Sequence, residues 1–123
     1  MIAPLIGAII ALSQPSPSAQ AVSEVSRSEP RLSVAASRIA ACESGERRQD
    51  GRAVPGTLDW SAQNPNSTAS GAFQFLDSTW HYVTGRTDRA MDAPPEVQIA
   101  AFETLWANGA GASNWDASRS CWG

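Results

Sequence analysis

The stretch PRLSVAASRIAACESG, residues Pro30 to Gly45, decides the fold. Leu32, Ala35, Ala36, Ile39, Ala40 and Ala41 recur at the three-and-four spacing that places apolar side chains on one helical face. The spacing predicts a helix starting around Pro30. Proline is well tolerated at the first helical position, and Ser28 is the expected cap. Gly45 is the expected stop. Cys42, Glu43 and Ser44 therefore fall in the last turn of this helix.

On the N-terminal side, Met1 to Leu12 (MIAPLIGAIIAL) form an uncharged apolar run. It is shorter than the about 20 residues a helix needs to span a bilayer. A Ser/Pro stretch follows, and then Ala19-Gln20-Ala21, which fits the small-x-small pattern of a cleavage site. The expected organisation is an export signal over 1–21, a polar linker over 22–29 and one domain over 30–123. No Lys or Arg precedes the apolar run, so two other readings stay open. One is a buried N-terminal helix and the other an uncleaved membrane tether.

On the C-terminal side, residues 46–70 are polar and turn-rich, with Asp50-Gly51, Pro55-Gly56 and Asn64-Pro65-Asn66 as turn signals. They predict a long polar loop or a short hairpin. A loop of that length inside a small domain is often functional. Gly71 to Leu76 follow. Asp77 is the expected cap of a second helix over Ser78–Thr84, closed by Gly85. Asp92 to Pro95 announce a third helix, whose apolar stripe is Val97, Ala100, Ala101, Phe102, Leu105 and Trp106. Asn108-Gly109 end it. The tail to Gly123 has room for one more helical turn. The class is mainly α.

Length and composition narrow the function. The chain has 123 residues, which is room for one domain. Hydrophobic residues make up 42% and charged residues 17%, so the bulk is globular. The net charge is -3 with no basic run, which argues against a nucleic-acid partner, because phosphate binding needs clustered cations. Cys42 and Cys121 lack metal-ligand spacing, and no cofactor motif appears, so neither metal nor cofactor is expected. Two distant cysteines in an exported domain more often form one disulfide than remain two buried thiols. His81 has no Ser/Asp partner pattern, so a triad is not expected.

Glu43 is the residue with a chemical argument. It lies at a helix C-terminus, where the dipole disfavours an anion, beside apolar Ala40, Ala41 and Cys42. Both effects raise a carboxyl pKa. A carboxylic acid that keeps its proton near neutral pH is what glycoside cleavage needs in order to protonate the leaving oxygen. By itself this argument leaves Glu43 reading first as a solvated surface residue.

Ala41-Cys42-Glu43-Ser44-Gly45, Gly71-Ala72-Phe73-Gln74-Phe75 and Ser78-Thr79-Trp80 follow one another in that order. Together they resemble the catalytic domain of resuscitation-promoting factors, in the lysozyme-like superfamily. Gln98-Ile99-Ala100-Ala101 and the Gly-rich, Trp-containing, Cys-ending tail resemble the end of that domain. The likeness runs from about Leu32 to Gly123. The Glu-Ser and Gly-x-x-Gln pair is also similar to soluble lytic transglycosylases, as is Asn64-Pro65-Asn66. The segment 46–70 is longer and more charged than the resuscitation-factor pattern, which leaves groove shape open.

The resemblance implies a lysozyme-like α-fold with a sugar-binding groove. It implies cleavage of the β-1,4 bond between N-acetylmuramic acid and N-acetylglucosamine in peptidoglycan, the expected partner. The expected export signal adds a secreted, wall-associated location, and a monomer is the default. The resemblance also implies Glu43 as the catalytic acid and a Cys42–Cys121 disulfide. Gln74 then reads either as a groove residue or as an amide bonding its own loop. Ser44 reads either as an orienter of Glu43 or as a helix-end cap. Trp80 is a groove candidate that reads first as a core residue, and Tyr82 is a further groove candidate. Asp50 and Asp59 are the candidates for a second carboxylate, each also readable as a turn former. Lytic transglycosylase and lysozyme chemistry both remain open, as does a glycan-binding or signalling module that does not cut.

Overall fold

A computed structural model describes residues 30–123; the expected export signal and the whole linker, with the Ser28 cap, lie outside the described residues. Arg31–Gly123 form one compact unit, mainly helical, with no strand among the described residues. Helix α1 spans Val34–Glu43, α2 Asp77–Thr84, α3 Pro95–Trp106 and α4 Arg119–Trp122. Three 3-10 segments, Ala90–Asp92, Ala107–Gly109 and Ala112–Ser118, join or extend them.

Helix α1 starts four residues later than the proline suggested. Its cap is Ser33, whose Oγ accepts the Ala36 amide at 3.1 Å. A serine at that position satisfies an orphan N–H that Pro30, further upstream, does not reach. The buried face is Ala36, Ser37, Ile39, Ala40 and Ala41. Small alanines let neighbouring segments approach closely. The helix stops at Ser44 rather than at a left-handed glycine. Gly45 serves a different need, since a Cβ there would meet Leu58 Cδ2 at 2.6 Å.

Residues 46–70 hold together by turns and isolated bridges. Arg47 pairs with Ala53, the Arg48 amide donates to Arg52 O at 2.7 Å, and the Val54 amide to Glu46 O at 2.8 Å. This is a small hairpin-like loop, tied to α1 where Ser37 Oγ accepts the Ala53 amide at 2.9 Å. Ser70 and Phe75 then exchange two backbone hydrogen bonds, both 2.9 Å, around the tight loop Gly71–Gln74. Gly71 (φ 83°) and Gln74 (φ 56°) both adopt left-handed backbone there.

Asp77 sits inside the first turn of α2, not at its cap. Leu76 takes the cap position without a side-chain bond, and the Asp77 carboxylate pairs with Arg89 Nε at 3.1 Å. Gly85 closes the helix in the left-handed region. Helix α3 begins at Pro95, as the Pro-Pro pair predicts, and ends through left-handed Ala107 and Asn108. Its buried face differs from the apolar stripe: Ala100 is exposed, and the polar Gln98 lies fully buried beside Ala101 and Phe102.

The core is aromatic. Phe73 stacks on Phe102 with ring centres 4.6 Å apart, Phe102 meets Trp115 at 4.8 Å, and Phe75 meets Trp80 at 5.3 Å. Fully burying each such ring contributes roughly 1.5–3 kcal/mol. The buried indoles also keep their N–H groups satisfied. Trp115 donates to Phe73 O, Trp122 to Trp115 O and Trp80 to Asp88 Oδ1, each at 3.0 Å. The Trp115 bond stitches the C-terminal tail to the Gly71–Gln74 loop. The Cys42–Cys121 disulfide joins the same tail to the end of α1.

Candidate active site

Glu43 is the last residue of α1 and is half-buried. Desolvation by burial pushes its carboxyl pKa up, and one hydrogen bond partly opposes this: Ser118 Oγ donates to Oε2 at 2.5 Å. No described residue makes a hydrogen bond to Oε1. The result is a carboxyl group with one oxygen held and the other unengaged by the described chain. Its raised pKa favours the protonated form at higher pH than an ordinary glutamate.

Ser118 comes from the far end of the chain, 75 residues away. It ends the 3-10 segment Ala112–Ser118, one turn before Cys121. The disulfide places Cys121 against Cys42, the neighbour of Glu43, and Ser118 arrives with it. Two arginines hold the same segment. Arg47 Nη1 donates to Cys121 O at 2.6 Å, and Arg38 Nε and Nη2 donate to Trp122 O at 3.2 and 3.1 Å. Sequence reasoning missed Ser118; the trace it left was its one-turn spacing from the cysteine that pairs beside Glu43.

Ser44 does not hydrogen-bond the Glu43 carboxylate. Its Oγ donates to Ala72 O at 2.9 Å and accepts the Asp59 amide at 3.3 Å. It therefore ties the end of α1 to both the Gly71–Gln74 loop and the 46–70 segment. Gln74 is partly buried, and its Nε2 donates to Gly71 O at 3.0 Å. That leaves the Gln74 Oε1 as an acceptor with no partner among the described residues. A non-glycine at φ 56° is uncommon, and such strain collects at functional sites.

The other candidates separate. Trp80 is fully buried with its indole bonded to Asp88, so it has no surface for a ligand and belongs to the core. Tyr82, 89% exposed on α2, lies in solvent. Asp50 is committed to its own turn: Oδ2 pairs with Arg48 at 2.9 Å and Oδ1 accepts the Arg52 amide at 3.0 Å. The Arg52 amide bond, with help from the nearby guanidinium groups, holds its pKa below the usual range. Asp50 also borders a shallow polar cavity of about 450 Å³ lined by Arg38, Arg47 and Arg48, and Glu43 is not among its lining residues. Asp59 uses Oδ1 for the Ser61 amide at 2.9 Å, while its own amide rests on Ser44, the residue after Glu43. Of the two, Asp59 is the one whose backbone is tied to the Glu43 end of α1.

Gln98 is a second residue whose role the sequence hid. Its Oε1 accepts the Ala72 amide at 2.9 Å, and its Nε2 donates to Trp60 O at 2.9 Å and Ala93 O at 3.0 Å. It supports the Gly71–Gln74 loop from below.

No family model and no solved structure matches the chain. Over 60 residues it is 47% identical to the probable transglycosylase SceD 2 of Staphylococcus saprophyticus, an alignment covering 46% of this chain and 24% of that relative. It is 45% identical over 60 residues to the probable transglycosylase SceD of Staphylococcus haemolyticus, covering 46% of this chain and 25% of the relative. The chain thus spans about a quarter of the length of the curated relatives it matches. Over about half its length, it is similar to part of these probable transglycosylases.

Proposed function

We propose that this chain is an exported peptidoglycan-cleaving glycosidase that cuts the β-1,4 bond between N-acetylmuramic acid and N-acetylglucosamine, with Glu43 as general acid and base. The observation that carries the proposal is the Glu43 carboxyl itself. It ends a helix, is half-buried with a raised pKa, and keeps one oxygen unengaged by the described residues. Likeness to probable transglycosylases supports the substrate class. The ordered motifs support the finer reading, a lysozyme-like domain of the resuscitation-promoting-factor type over residues 30–123. Residues 1–21 are read as its export signal, and the mature protein as a wall-associated monomer.

In the proposed reaction Glu43 donates its proton to the glycosidic oxygen as the bond from C1 to that oxygen breaks. The substrate's own acetamido group stabilises the positive charge at C1. Glu43, now a carboxylate, then takes a proton from the nucleophile that attacks C1. If that nucleophile is the muramic acid 6-hydroxyl, the product is a 1,6-anhydro sugar. If it is water, the product has a reducing end. Asp50 is committed to Arg48 and Arg52, and Asp59 to the Ser61 amide. These commitments favour the single-acid route and hence the transglycosylase product. Gln74 contributes its open Oε1 as acceptor for a sugar N–H or hydroxyl. Ser44 contributes by fixing that loop against α1, and Tyr82 is an exposed candidate for contact with the glycan.

Mass spectrometry of muropeptides released from purified peptidoglycan tests the route. Products ending in 1,6-anhydro sugar are expected. Reducing-end products would replace the transglycosylase route with hydrolysis and bring Asp59 into the mechanism.

A further inference from the structure

The catalytic acid proposed above has two oxygens, and only one of them can serve the substrate. Ser118 Oγ lies 2.5 Å from Glu43 Oε2 and 3.3 Å from Trp115 O. A hydroxyl carries one proton, so it donates to one of these acceptors at a time. The first distance is that of a strong O–H···O bond and the second is long for one. Donation to Oε2 disfavours the acid's own proton on that oxygen, because the O–H oxygen of a carboxylic acid is a poorer acceptor than its C=O oxygen. The alternative has Glu43 donating from Oε2 to Ser118, whose own O–H then donates to Trp115 O. It exchanges the short bond for the long one and turns the acid's proton away from any substrate.

We infer that Ser118 is a positioning residue that keeps the Glu43 proton on Oε1. The inference rests on the reading of Glu43 as general acid. Oε1 then loses its proton to the leaving oxygen and regains one from the nucleophile, so both half-reactions use the same atom. Ser118 remains the donor to Oε2 in both states, with the bond strengthened when Glu43 is charged. Nothing in this cycle needs Ser118 to gain or lose a proton. Two contacts fix the placement of Ser118. Trp115 is buried with its indole on Phe73 O, and Cys121, one turn beyond Ser118, is bonded to Cys42.

Ser118→Ala and Ser118→Thr test this. The first readout is the titration of the Glu43 side-chain carboxyl followed by carbon NMR in the free protein, which requires no activity. Ser118→Ala removes the bond that opposes desolvation, so the Glu43 pKa rises above the wild-type value. Ser118→Thr keeps the hydroxyl and returns it toward wild type. The second readout is the pH dependence of muropeptide release. In Ser118→Ala the alkaline limb moves to higher pH with the titration, and plateau kcat falls roughly tenfold, less than removal of the acid itself. Near-UV circular dichroism verifies that each variant is folded. An unchanged Glu43 titration in folded Ser118→Ala overturns the inference, as does a fall in kcat with no movement of the alkaline limb. A shifted titration in a protein whose wild type releases no muropeptide supports the proton placement and overturns the glycosidase reading.

Discussion

Replacing Gln98 with alanine should be among the most damaging single changes to this domain. Gln98 is fully buried and makes three hydrogen bonds through one side chain. Alanine strands the buried Ala72 amide and removes the donor for Trp60 O and Ala93 O. An unsatisfied buried group costs about 1–3 kcal/mol. Counting two of them near the middle of that range, the loss is about 4 kcal/mol before any cavity is considered. For a domain of this size each kcal/mol moves the melting temperature by roughly 4–8 °C, so Tm should fall by about 15–30 °C. Differential scanning calorimetry measures it. Gly71→Ala probes the other side of the contact. A Cβ at Gly71 would lie 2.6 Å from Gln98 Oε1, on backbone with φ 83°, so this variant is also strongly destabilised. A Gln98→Ala loss of less than about 1 kcal/mol would mean that the three hydrogen bonds do not support the fold as described. The Gly71–Gln74 loop would then be held from elsewhere.

Other outcomes follow from the same geometry. Opening the disulfide with Cys42→Ala plus Cys121→Ala releases a cross-link of sequence separation 79. The chain-entropy model puts the loss at about 4.5 kcal/mol, which thermal denaturation reads directly. Glu43→Gln should make the protein more stable at neutral pH. The folded pKa of Glu43 is raised, so its burial costs stability once pH climbs past the ordinary glutamate value. The gain from glutamine should be present at and above the folded pKa and vanish below the unfolded one, as paired melting curves across pH would show. Asp88 has the opposite sign. Two side-chain donors, Arg86 first and the Trp80 indole second, hold its pKa down to about 2. Its contribution is complete above the unfolded value and is lost as pH falls toward 2, so Asp88→Asn should narrow the wild-type advantage in acid. Asp50→Asn should leave activity on peptidoglycan within about twofold of wild type, since the carboxylate serves its own turn; a large loss in a kinetic assay would return it to the site.

The helices were legible because apolar spacing and backbone punctuation agreed. Ala36, Ile39 and Ala40 mark one face of α1, and Pro94-Pro95 and Gly85 mark a start and a stop. Caps were less legible. Ser28 with Pro30 and Ser33 with Ala36 are competing starts, and the choice depends on which serine reaches an orphan amide. Gln98 was hidden for the opposite reason: a polar residue in an apolar stripe reads as exposed, and its burial is explained by partners at Ala72, Trp60 and Ala93 that the stripe does not reveal. The raised pKa of Glu43 was legible from its small apolar neighbours, but its candidacy as an acid came only from the ordered motifs. Ser118 was not, because its contact with Glu43 spans 75 residues and exists through the disulfide and the packing of Trp115. The aromatic core likewise unites Phe73, Phe102 and Trp115, positions that no local period connects.

The proposed activity is cleavage of wall glycan, with Glu43 as the group that does it. Release of soluble muropeptides from purified, insoluble peptidoglycan tests it most directly, measured for the chain from Val22 onward and for the same chain with Glu43→Gln. Release by the wild type is expected, with at least a hundredfold loss on glutamine substitution, about the least a general acid contributes. That loss should come in a variant whose melting temperature at neutral pH equals or exceeds that of the wild type. Equal release by the two proteins would contradict the role of Glu43. No release by a folded wild type would contradict the enzyme, and would leave a domain that binds glycan without cutting it.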